Sequence, residues 1–263
     1  MMNQVLHLNK RHKIIATSLL LAIGLLSTQL VDFNLRFHFL GGLAVGAYIL
    51  SLWSLWEGLN PTKAFILLIL PTFFTVAVAS FYFLLPVRWL TRLPVAVIFG
   101  STFYLLLLAQ NVYNVASLRT IPLYRVASTA SFLFTLLSAF FLFHVISAFN
   151  LLFLWNGVAV FLVSFPLILQ AIWSIKMADR ISVADVIQSF ILSLVMGELA
   201  LSFSFWPSSA TIRSLALSSA MYVILGIATH FLKGRLTRRV GWEYIGIGII
   251  VLVVSFFMTS WTG

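Results

Sequence analysis

Cysteine is absent from this chain, and acid nearly so: six Asp and Glu stand among 263 residues. Without cysteine there is no disulfide, no thiolate nucleophile, no zinc–thiolate site and no iron–sulfur cluster. Charge of either sign is scarce as well. Charged residues make up 8% of the chain, where an average soluble domain carries roughly 25%. Twenty-two charges cannot cover a protein of this size in water, which excludes a soluble globular fold, a disordered chain and a coiled coil. Catalytic patterns are missing too. The five histidines, His7, His12, His38, His144 and His230, are too scattered for a histidine box or an HExxH motif. There is no GxSxG elbow, no P-loop, no GxGxxG and no acidic pair at helical spacing inside an apolar run. An enzyme would have to assemble its site from single residues on different helices. We assign no catalytic residue, no metal and no cofactor.

What the chain has is apolar surface, 62% of its residues, with a mean hydropathy of +1.09. Its solvent is therefore lipid. A membrane helix needs about 20 mostly apolar residues. Nine such stretches run over 14–31, 37–56, 64–85, 93–112, 126–149, 151–175, 183–206, 212–232 and 242–261. The fold expected is all-α: a polytopic helical membrane protein of about nine transmembrane helices in a single domain, 1–263. A short basic segment, 1–13, precedes the first helix, which is read as an uncleaved signal anchor. The longest gap, 113–125, leaves no room for a soluble domain. Residues 126–175 carry no charge, yet fifty helical residues would span about 75 Å, far more than one crossing. His144, Ser147, Asn150, Asn156 and Gly157 mark the hairpin that divides them. Ser182-Val-Ala-Asp185 resembles a capping box and opens the seventh helix.

Sixteen Lys and Arg make the net charge +10. They are scattered singly between apolar runs, so the excess reads as topology and contact with anionic headgroups, with no nucleic acid implied. With nine spans and a cytoplasmic N-terminus, only Arg36, Arg88, Arg92 and Arg213 lie outside, and the other twelve lie inside. Merging spans five and six gives seven inside against nine outside. Positive charge prefers the cytoplasm, so the expected topology is N-in/C-out. All eight tryptophans lie near span ends, where interfacial belts form.

Polar residues at membrane depth fall into two layers. The inner has Glu57, Gln110, Asn111, Asn114, Gln170 and His230. Gln110, Asn111 and Asn114 share one face of span four by their spacing and are read as a structural polar cluster, with substrate contact as the alternative. The outer layer has Glu198 and His144, with Arg88, Arg92 and Arg213 at span ends. Glu198 lies about 20 Å beyond Asp185 and about 12 Å before Trp206 at helical rise. An ionised carboxylate there costs at least about 2.5–3.5 kcal/mol, so it must be protonated, paired or wet. Glu198, His144, Arg92 and Arg88 form the candidate binding set; a salt bridge that merely locks helices is the competing account. Pro71 and Pro166 interrupt spans three and six, which suits either a kinked cavity wall or plain packing. Gly42-xxx-Gly46 and the small residues of spans eight and nine permit close helix contact.

The most distinctive string is Gln110-Asn-Val-Tyr-Asn-Val-Ala-Ser-Leu-Arg-Thr-Ile-Pro-Leu-Tyr-Arg125. With the Phe- and Leu-rich spans around it, the middle third of the chain resembles an uncharacterised family of bacterial multi-spanning membrane proteins. The resemblance implies a multi-pass protein of the bacterial plasma membrane and carries over no activity and no functional residue. Besides a lipid-processing enzyme using scattered residues, two functions fit these observations. One is a transporter-like protein for a small solute, an ion or a lipid, supported by span number, the two prolines and one buried acid. The other is a non-catalytic membrane scaffold or subunit of a larger assembly, supported by the lack of internal repeats and of any cytoplasmic domain. The partners expected are the lipid bilayer and another membrane protein or a second copy. A cavity beside Glu198 would favour the first function, and an exposed small-residue face the second.

Overall fold

A computed structural model describes residues 9–28, 35–57, 59, 61–85, 89–116, 123–177 and 180–259. Among them are nine helices: α1 (Lys10–Thr28), α2 (Arg36–Leu55), α3 (Pro61–Leu84), α4 (Trp89–Ala116), α5 (Tyr124–Ala148), α6 (Phe153–Lys176), α7 (Val183–Ser204), α8 (Ala210–Leu232) and α9 (Arg238–Phe257). The described residues form no strand. Eight of the helices, α2 to α9, are long and apolar enough to cross a membrane. α1 begins with its basic cluster, Lys10, Arg11 and Lys13, which shortens the apolar part of the described helix to 14–28.

The charge-free stretch divides as the polar residues indicate. α5 ends at Ala148, Asn150 takes a left-handed φ of 46°, and α6 starts at Phe153. An asparagine tolerates that conformation better than the apolar residues around it. α7 opens with a complete capping box. The Ser182 hydroxyl accepts from the Asp185 N–H at 3.1 Å, and the Ser182 N–H donates to Asp185 Oδ2 at 3.4 Å. The other oxygen of this buried carboxylate pairs with the Lys176 ammonium at the end of α6, tying the two helices across their turn. α9 starts a turn earlier than hydropathy suggests. Thr237 caps it by accepting from the Val240 N–H at 3.3 Å, which places Arg238 and Arg239 in its first turn.

The helices divide into two compact units, 1–131 and 132–263, with the boundary inside α5. In the first, α1 packs on α2 and α4, and α3 packs on α2 and α4. The Thr17 hydroxyl donates to the Leu50 carbonyl at 3.2 Å between α1 and α2. Phe74 of α3 stacks on Phe99 of α4 with ring centroids 5.9 Å apart, and both rings are fully buried. In the second unit the most extensive packing is α6 on α7, followed by α8 on α9. Trp173 of α6 is fully buried there, so it does not belong to an interfacial belt; Trp56, Trp155 and Trp242 are exposed.

Two close approaches fix the second unit. A Cβ added at Gly157 of α6 would lie 2.6 Å from Leu201 Cγ, and one at Gly197 of α7 would lie 3.0 Å from the Gly157 carbonyl oxygen. Between α8 and α9, the Tyr244 ring covers Gly226 so closely that a Cβ would sit 2.1 Å from its Cε1. Gly42 and Gly46 of α2, by contrast, have open space where a Cβ would go. Gly157→Val and Gly226→Val should each destabilise the chain by about 1–3 kcal/mol through overpacking, whereas Gly42→Ala should stay within about 0.5 kcal/mol. Thermal unfolding of the purified variants in one detergent checks this ordering, and a Gly42→Ala loss as large as that of Gly157→Val would contradict it.

Candidate functional site

The polar groups of the first unit gather where α1 begins and α2 and α4 end. The Lys13 ammonium lies 3.2 Å from Glu57 Oε1, and Lys10 Nζ donates to the Glu57 carbonyl at 3.5 Å. Asn114 Nδ2 donates to the Leu55 carbonyl at 3.2 Å and to the Glu57 carbonyl at 3.0 Å. The last carbonyls of any helix lack an intrahelical donor, and here a side chain of α4 supplies one to the end of α2. Gln110, fully buried, donates to the Ser131 hydroxyl at 3.4 Å. Asn111 lies on the same stretch with its Oδ1 buried and without a hydrogen-bond partner among the described residues.

The second unit holds another polar cluster, around Arg213 in the first turn of α8. Its Nη2 donates to the Ser147 carbonyl at 3.3 Å and to Asn150 Oδ1 at 3.2 Å, closing the end of α5. Asn156 Nδ2 donates to the Leu151 carbonyl at 3.3 Å and to Ser204 Oγ at 3.2 Å. His144 Nδ1 lies 3.5 Å from the Ser214 hydroxyl. Ser147, Asn156, Ser204 and Arg213 border a cavity with about 10 Å³ of free space, room for one water molecule at most. Arg213 Nε and Asn156 Oδ1 are buried without a partner among the described residues, one a donor and one an acceptor. Such an arrangement can hold one bridging water and is too small for an organic substrate.

Glu198 stands apart from this cluster. It is exposed on α7, its carbonyl accepts from the Ser202 hydroxyl at 3.0 Å, and its carboxylate makes no ion pair or hydrogen bond among the described residues. The inward stripe of α7 is Asp185, Ser189, Ser193, Met196, Gly197 and Ala200. The outward stripe, with Ile187, Phe190, Ile191, Leu194 and Val195, is apolar and exposed. Glu198 is the one charge on that stripe. The structure therefore groups His144 with Arg213 and Ser214 and leaves Glu198 separate. Arg92 lies in the first turn of α4, in the other unit. Arg88 lies outside the described residues.

Sequence reasoning treated the basic run 233–239 only as a topology signal, and here it borders an apolar groove. The groove, about 390 Å³, is lined by residues of α6, α7 and α8, including Ile172, Gln188, Ile227 and Phe231, and by Leu236 of the basic turn. Surrounding apolar side chains push the Lys233 ammonium below its ordinary range, and the neighbouring Arg235 charge pushes the same way. The signal that could have found this site is the interleaving in Phe231-Leu-Lys-Gly-Arg-Leu236, where apolar and basic residues alternate in short blocks.

The described residues are all-helical or in turns, and eight of the helices are long and apolar enough to cross a membrane, which is compatible with a membrane-spanning protein. The chain belongs to a family described as "Protein of unknown function (DUF5656)", whose model matches residues 53–258. This agrees with the resemblance to an uncharacterised family, and the description attaches no activity to it. No curated protein and no solved structure matches the chain.

Two side chains that meet Glu57 in the first unit should respond unequally to substitution. Asn114→Leu removes one buried and one part-buried bond of about 0.6 kcal/mol each and should lower stability by about 1 kcal/mol. Lys13→Met removes a bond to a largely exposed glutamate and should change stability by less than about 0.5 kcal/mol. Unfolding midpoints measured side by side check the difference; equal losses would contradict the contacts assigned to Asn114.

Proposed function

We propose that this protein is a non-catalytic membrane subunit. In this reading it crosses a bacterial plasma membrane nine times, N-terminus inside and C-terminus outside, and docks through the outer face of α7 against a helix of a different membrane protein. The observation that carries the reading is Glu198: an exposed carboxylate without a partner among the described residues, on an otherwise apolar stripe of a membrane-length helix. Facing lipid, it costs at least about 2.5–3.5 kcal/mol, whereas a donor or cation on a facing helix removes that cost. A second copy in a two-fold interface would bring carboxylate to carboxylate, which favours a different chain as partner. The transporter reading needs an acid lining an internal path, and the outward position of Glu198 supports an interface instead. The open faces of Gly42 and Gly46 on α2 support a subunit with further unpartnered helix surface.

The isolated chain and the assembly should respond to Glu198→Leu in opposite ways. The purified variant should be as stable as the wild type or more so, because no partner within the chain is lost. In native membranes, a photo-reactive residue at Val195 should give one adduct of defined mass with another membrane protein. Glu198→Leu should weaken that adduct by at least about fivefold, the loss of roughly 1 kcal/mol of coupling. Destabilisation of the isolated variant, adducts to lipid alone, or dimers of this chain would each overturn the reading.

A further inference from the structure

We infer that the groove between α6, α7 and α8 holds one acyl chain of an anionic phospholipid, whose phosphate is received by the basic turn at its mouth. The inference shares only Ile191 with the α7 stripe named above and rests on three features that meet at one place. The groove has a volume of about 390 Å³, within the roughly 300–1,000 Å³ of ligand clefts, and its lining is apolar except for Gln188. Its end is made by Phe231, Leu232 and Leu236, and the last two flank Lys233 and Arg235 directly in sequence. Across 233–239 there are four cations and no acid.

Charge complementarity selects the occupant. Lys233, Arg235 and Arg238 are exposed and have no carboxylate partner among the described residues. Arg239 differs, lying 3.3 Å from Glu243 Oε1 one turn along α9. Three unpaired cations at the mouth of an apolar groove match a ligand with one anionic end and one hydrocarbon end. A free phosphate ion would leave the groove unused, and a zwitterionic lipid would bring its own cation to the same place. Gly234 adopts φ 64° in this turn, with open space where a side chain would be, so a headgroup can approach the backbone between Lys233 and Arg235. Contact between juxtamembrane Lys or Arg and the phosphate of an anionic lipid is a general source of lipid preference.

The test is the lipid retained by the folded, monodisperse protein, counted by native mass spectrometry after equilibration with equal amounts of phosphatidylglycerol and phosphatidylcholine. Wild type should keep one phosphatidylglycerol in preference to phosphatidylcholine by about fivefold or more. The double variant Lys233→Gln, Arg235→Gln should lose that preference. Ile227→Trp, which fills the groove without touching the charges, should lose the bound lipid altogether. Arg239→Gln, whose charge is already paired, should retain it. Equal retention of the two lipids by wild type would overturn the inference, as would an unchanged preference in the double variant or a bound lipid in Ile227→Trp. Inorganic phosphate displacing the lipid at equimolar concentration would show a headgroup site without a chain groove and would overturn it too.

Discussion

In a membrane, the backbone polar groups along the long apolar helices have to be satisfied where there is no water to do it. In hydrocarbon an unpaired N–H or C=O costs several kcal/mol, so the helix, which pairs its own backbone, is the only open structure that spans. The polar side chains obey the same constraint. The hydroxyls of Ser18, Ser138, Ser189 and Ser204 all donate back to the carbonyl four residues earlier, at 2.7–2.9 Å. Ser193 and Ser219 do so to the carbonyl three residues earlier. These serines are buried or half-buried and self-satisfied, and they carry no message about a substrate. Several polar groups that reach across helices, Asn114, Asn156, Arg213 and Lys176 among them, do so at helix ends, where orphan carbonyls and turn residues offer partners.

Because lipid and protein interior are equally apolar, packing rather than hydrophobic patterning holds the helices together. The tightest places are those without side chains. Gly157 and Gly197 bring the backbones of α6 and α7 into contact, and the capping box and Lys176–Asp185 pair fix the other end of the same pair of helices. Tyr244 seated on Gly226 plays the corresponding part between α8 and α9. A chain with so few charges commits them to such turns: of the three acids paired among the described residues, Asp185 and Glu57 join helix ends and Glu243 pairs one turn away on its own helix. Glu198 is the exception, which is why its position weighs on function.

Which parts of this were legible in the sequence follows from the same physics. Helix number and approximate bounds were, since apolar run length is a one-dimensional property and 126–175 is too long for one crossing. The capping box at Ser182 was, since it is local chemistry. Helix rotation was not. In water a polar face marks the outside of a helix, but a membrane helix is apolar all round, so nothing in the sequence separated the packed Gly157 and Gly197 from the open Gly42 and Gly46. For the same reason Trp173 sits near a helix end like the exposed tryptophans yet is buried. Glu198 was found by its depth, while the face it occupies came only from the structure. The ends of α4 and α9 were read short because polar residues, Asn114 and the arginines after Thr237, lie inside these helices.

The proposal that the other assignments lean on is nine crossings with the N-terminus and the basic turn 233–239 inside. Absence of cysteine makes the decisive measurement direct: single cysteines at Asn9, Leu35, Ser208 and Arg235, exposed on intact cells to an impermeant thiol reagent. The account predicts labelling at Leu35 and Ser208, with Asn9 and Arg235 reacting only after permeabilisation. Labelling of Arg235 or Asn9 on intact cells, or protection of Leu35 or Ser208, would contradict it.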